Sequence, residues 1–144
     1  DIDVNLFVGQ EQIESVLAAL PANVSWNKTD IKRLRRDLQH RLWWDGTPLD
    51  LFFNSTDYHD QLLHRIHWED FAGTRVPFIS CQDLAVFKVF FDRTKDWADL
   101  EAMWAAGTLD LAFVRGVITH YLGKDDPRLI RLSALTTSPE QVKP

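Results

Sequence analysis

The sequence predicts an α/β protein: a mixed β-sheet flanked by helices up to about residue 80, then a helical C-terminal half, which is α+β in its segregation of the helices. Three observations carry this. Residues 1–8, Asp1-Ile2-Asp3-Val4-Asn5-Leu6-Phe7-Val8, alternate apolar and polar at period two, the pattern of a half-buried strand. Arg41-Leu42-Trp43-Trp44 and Pro48-Leu49-Asp50-Leu51-Phe52-Phe53 flank Asp45-Gly46, a strong hairpin signal. From Ser80 onward apolar residues recur at helical spacing and no strand pattern returns. The 144 residues are one domain's worth. That domain is expected over residues 1–135, with residues 1–80 bearing the sheet and 81–135 helical. Residues 136–144, polar and Pro-bearing, read as a loose tail.

The elements follow in order. The first strand presents Ile2, Val4, Leu6 and Val8 on one face and Asp1, Asp3 and Asn5 on the other. Its apolar character predicts a central position in the sheet, and so does that of the strand holding Asp50. The chain opens inside this strand on a charged residue, which predicts that further residues precede it. Gly9 punctuates, and Gln10 to Leu20 reads as a helix with Ile13, Val16, Leu17 and Leu20 inward, stopped by Pro21. Asn23 to Trp26 is a short extended piece. Thr29 or Asp30 caps a helix from Ile31 to about Leu38, whose outer faces carry Lys28, Lys32, Arg33, Arg35 and Arg36. These bases are read either as a solvated face or as a contact for phosphates. The hairpin comes next, its loop two residues or slightly longer. Asn54 to Asp57 is turn chemistry before a helix from Tyr58 to Ile66. His67 to Phe71 and Arg75 to Ile79 are short strands around Ala72-Gly73-Thr74. Ser80 caps a helix from Gln82 to Arg93, with Leu84, Phe87 and Phe91 as its inward seam. Lys95 to Ala106 and Thr108 to Leu122 are helices ended by Gly107 and Gly123. Asp126 caps a last one with Pro127 at its first position.

Bulk composition excludes several classes. Net charge is −5, so the molecule as a whole does not coat nucleic acid. No apolar run approaches the ~20 residues of a membrane span, and no signal-peptide pattern is present. A single cysteine, Cys81, excludes an internal disulfide and points to a reducing, cytoplasmic setting; it reads as a small buried hydrophobe. Six Trp and nine Phe predict a well-filled core or an aromatic-lined pocket. Trp43 and Trp44 point to opposite faces, which predicts one in the core and leaves the other to stack on a base or to pack.

The candidate site is acidic. If the strand carrying Asp50 pairs with the first, Asp50 joins Asp1 and Asp3 as a third carboxylate. Such a group would repel itself, and a hard divalent cation with oxygen ligands removes that cost. From spacing alone, a solvated acidic face and a magnesium site both stand. His59, Asp60, His64 and His67 fall at suggestive spacings, but ordinary surface histidines account for them better than zinc does. Lys88 has two readings, a phosphate contact or an i,i+4 pair with Asp92. Arg93, Lys95, Asp96 and Asp99 form a charged helix junction.

The stretch D-I-D-V-N-L-F-V, then P-L-D-L-F-F, then Q-D-L-A-V-F-K-V-F-F-D-R-T-K-D-W-A-D-L resembles the polymerase-β-type minimal nucleotidyltransferases of bacteria, the superfamily that includes the nucleotidyltransferases of abortive-infection toxin–antitoxin systems. The resemblance covers the chain to about Leu135. It implies the nucleotidyltransferase fold and a two-metal magnesium site, with Asp1, Asp3 and Asp50 as metal ligands and catalytic residues. It also implies Lys88 at the phosphates, a nucleoside triphosphate as substrate, and an RNA, protein or small-molecule acceptor. Members carry a Gly-Ser or Gly-Gly turn upstream of D-x-D that holds the triphosphate, and this sequence starts at the D-x-D. Two other readings remain: a catalytically degenerate, partner-binding or antitoxin-like module, and a metal-dependent nuclease. The sequence leaves the oligomeric state, the nucleotide and the acceptor open.

Overall fold

The computed structural model describes residues 1–136; the tail expected over 136–144 lies, apart from Thr136, outside the described residues. The architecture is mixed α/β, and the chain divides into two compact units, Asp1–His64 and Arg65 onward.

The first unit holds a four-stranded mixed sheet in the order β1-β4-β3-β2. β1 is Ile2–Leu6, β2 Val24–Ser25, β3 Gln39–Trp44 and β4 Thr47–Phe53. β1 runs parallel to β4, and β4 and β2 are antiparallel to β3. β4 is central as expected, whereas β1 lies at the edge of the described sheet, and Ile2 is 39% exposed. Asp45 and Gly46 both take positive φ, 46° and 80°, so the β3–β4 turn is the two-residue mirror-image type whose twist matches the strands.

One face of this sheet is covered by α1 (Ile13–Ala19) and α2 (Lys28–Asp37). Ile13, Leu17 and Leu34 pack with Val24, Leu42, Leu49, Leu51 and Phe53 into a core, with Val4 and Leu6 partly buried against it. The expected helix from Gln10 starts as a 3-10 turn, Gln10–Gln12, and becomes α-helical only at Ile13. The basic helix begins earlier than its apolar seam suggests. Asn27 is the cap: its Oδ1 accepts from the Thr29 amide at 2.7 Å, and Asp30 reaches back to the Asn27 amide at 2.9 Å. Neither Thr29 nor Asp30 caps it. α3 (Asp57–Leu62) closes the unit and buries Tyr58, His59 and Leu62; Leu63–Arg65 continues as a 3-10 turn rather than as helix to Ile66.

The second unit opens with a hairpin, β5 (His67–Phe71) and β6 (Thr74–Phe78), which among the described residues pair only with each other. Four helices follow: α4 (Cys81–Phe91), α5 (Thr94–Ala105), α6 (Leu111–Leu122) and α7 (Pro127–Ala134). α4 buries Ala85, Val86 and Val89, while Leu84 is 40% and Phe91 43% exposed. The expected seam of Leu84, Phe87 and Phe91 is therefore not the inward one. The reason is compositional: a helix apolar nearly all round does not mark its buried face by periodicity. Asp126 caps α7 through the Arg128 amide, and Pro127 occupies its first turn as predicted.

Candidate functional site

The face of the first unit's sheet opposite its core carries the acids. Parallel register sets Asp3 of β1 against Asp50 of β4, and Asp1 lies two residues back on the same side. Each of the three offers a carboxylate oxygen, and these oxygens lie within 4.8 Å of one another. Asp1 and Asp3 are exposed and Asp50 is half-buried. Among the described residues these three form the group that converges in this way; His59, Asp60, His64 and His67 form none.

The neighbouring strand brings a residue that sequence reasoning missed. Antiparallel register places Arg41 of β3 directly across from Asp50. Its guanidinium forks both oxygens, Nε to Oδ1 at 2.7 Å and Nη2 to Oδ2 at 2.6 Å, and Nη2 also approaches Asp1 Oδ2 at 3.4 Å. Such bidentate pairs are short and orientation-specific. The hydrogen bond and charge of Asp50, with a smaller contribution from Asp3, raise the Arg41 pKa further above its ordinary value. Three carboxylates against one guanidinium leave the cluster net negative. An all-oxygen donor set of this kind suits a hard cation such as magnesium and is a poor match for zinc or copper.

The other candidates are placed as follows. Lys88 lies in the second unit and bonds Asp99 of α5 at 2.5 Å, not Asp92. Asp92 instead ends α4 and accepts from the Trp97 indole at 2.6 Å and from Arg131 at 2.9 Å. Arg93 and Asp96 build the expected junction. Asp96, fully buried, accepts from the Arg93 amide and guanidinium, which holds its carboxyl below the usual range. Cys81, the first residue of α4, is exposed rather than buried. Neither Trp43 nor Trp44 is in the core, being 53% and 37% exposed; β2 pairs with both edge-on, and a strand paired edge-on covers neither face of the sheet. On α2, Arg35 pairs with Glu14 and Arg36 with Asp37, while Lys28, Lys32 and Arg33 are exposed.

Among the described residues, no helix is long and apolar enough to cross a membrane. No protein-family model matches the chain, and no curated protein matches it. The nucleotidyltransferase resemblance therefore rests on the motif residues themselves.

Proposed function

We propose that the chain carries the acidic centre of a metal-dependent nucleotidyltransferase of the polymerase-β-type fold, moving a nucleoside monophosphate from a nucleoside triphosphate to an acceptor hydroxyl on RNA, protein or a small molecule. The observation that supports this reading is the convergence of Asp1, Asp3 and Asp50 to within 4.8 Å on one sheet face. Those three would hold magnesium, which supplies charge neutralisation at the phosphates and a template for in-line displacement. The chain's own residues supply position. Asp3 on β1 and Asp50 on β4 are fixed by the backbone ladder between them, and Asp1 directly precedes β1. By the resemblance, Asp50 would also serve as the base, taking the proton of the acceptor hydroxyl as its oxygen attacks the α-phosphorus and pyrophosphate leaves. Lys88 is assigned to the phosphates by the resemblance alone.

One observation favours the second reading, a non-catalytic module of the same ancestry. The Arg41 fork on Asp50 already supplies part of the countercharge that a metal would provide. Incubation with α-labelled nucleoside triphosphates, magnesium and RNA or protein acceptors separates the two. Label transfer is expected in the wild type. Asp50→Asn is expected to lower it by about a hundredfold or more, the several kcal/mol that such charge stabilisation contributes. Magnesium binding without transfer to any acceptor would favour the module.

A further inference from the structure

A pocket of about 500 Å³ opens beside the free edge of β3, with Trp26, Trp43, Arg33 and Arg41 in its lining. Its origin is the brevity of β2. That strand pairs with β3 only at Trp44 and Trp43, after which the chain turns away through Trp26 into α2. The β3 edge beyond Trp43 is left without a strand partner on that side. The volume falls within the ~300–1,000 Å³ of small-molecule sites.

The lining chemistry is specific. Trp26 is 38% and Trp43 53% exposed, so indole surface is available to a planar ring. The nearby helix end is not the anion site, because the Asn27 and Thr29 amides are taken by the Asp30 and Asn27 side chains. Asp30, also in the wall, gives its other oxygen to His40 Nε2 at 2.8 Å. Arg33 makes no ion pair among the described residues, and Arg41 presents the second guanidinium. Guanidinium groups are the side chains best shaped for phosphate.

We propose that this pocket binds a nucleotide-class ligand, its base against the Trp26 and Trp43 indoles and its phosphate on Arg33 and Arg41, and that Arg41 couples the pocket to the acid trio. The coupling clause rests on the metal reading of that trio; the pocket clause does not. Arg41 has two anionic claimants, Asp50 and the ligand's phosphate. A cation held by Asp1, Asp3 and Asp50 would take up the charge of Asp50 and leave the Arg41 guanidinium to the phosphate. Metal and nucleotide therefore each tighten the other's binding by the same factor.

Calorimetric titration of the whole chain with AMP tests this, with and without magnesium chloride, and with circular dichroism to check that each variant folds. AMP binding is expected to weaken about tenfold in Trp43→Ala and in Arg33→Gln. Magnesium is expected to tighten AMP in the wild type. Asp50→Asn, which frees Arg41 without metal, is expected to bind AMP at the magnesium-loaded affinity whether or not magnesium is present. Absence of AMP binding, equal binding by folded Trp43→Ala and Arg33→Gln, or ribose 5-phosphate binding as tightly as AMP each overturns the pocket. AMP binding that needs both side chains but is indifferent to magnesium and to Asp50→Asn upholds the pocket and overturns the coupling. Magnesium titration without AMP reports on the trio separately.

Discussion

His59 is 5% exposed on α3, and burial favours its neutral imidazole. Its pKa is therefore pushed below the ordinary value, with the Asp60 charge opposing more weakly. The sign of the pH dependence follows. Above about pH 6.5 the ring is neutral in both folded and unfolded chains and costs nothing. As pH falls below that value the unfolded chain takes up the proton first, so stability drops until the folded pKa is passed. The urea midpoint is expected to be lower at about pH 5.5 than at about pH 7.5, and His59→Phe to flatten that difference. An unchanged slope in the variant would assign it to another group. Asp96 acts in a separate window: its Arg93 bonds lower its pKa, so its contribution is lost only as pH falls below the ordinary ~3.9 of an aspartate. The residue of most consequence for the site, Arg41, was legible in principle. A two-residue turn at Asp45-Gly46 sets Trp44 against Thr47, and counting back three pairs puts Arg41 against Asp50. Leaving the loop length open by a residue hid it, because a one-residue slip moves every side chain to the other face.

At the scale of elements, turn and cap chemistry was readable and burial direction was not. Gly46 and Gly73 follow Asp45 and Ala72 at positive φ in both hairpins, and each was marked by its local sequence. β1 was placed centrally on apolar content, yet its alternation with Asp1, Asp3 and Asn5 equally fits an edge strand with one open face. α4 offers the sharpest test of the same ambiguity. Its segment Leu84-Ala85-Val86-Phe87-Lys88-Val89-Phe90-Phe91 is apolar except for Lys88, so the choice of face falls to tertiary packing. Val86 is fully buried and Leu84 is 40% exposed. Val86→Ala is expected to cost on the order of 2 kcal/mol through lost contacts and a residual cavity. Leu84→Glu, although the more drastic change on any hydrophobicity scale, is expected to stay within about 0.5 kcal/mol. Denaturant unfolding of the two variants checks the order. The reverse order would restore the seam that periodicity alone suggests.

Across the whole chain, no glycine, proline or serine run marks the division between the two units. It falls at His64 and Arg65, within the 3-10 turn Leu63–Arg65, where the charged sequence gives no linker signal. The hairpin of β5 and β6, expected within the sheet-bearing residues 1–80, instead groups with the helical unit: among the described residues its strands pair with each other and with no strand of the first sheet. This division bears on the site through the core. β4 presents Leu49, Leu51 and Phe53 to α1 and α2 on one face and Asp50 on the other, so the helices that bury the apolar face also hold the acidic one in register. Leu34 is fully buried at the centre of that packing. Leu34→Ala is expected to cost about 2–5 kcal/mol. Amide hydrogen exchange should locate the loss, accelerating at Leu49 and Leu51 more than at Val114 and Ile118, which are buried within the second unit. Equal acceleration at all four would mean that the two units open as one cooperative body. Acceleration confined to the first pair would make the acid-bearing sheet a separately stabilised unit, whose order depends on α1 and α2 more than on the helices that follow it.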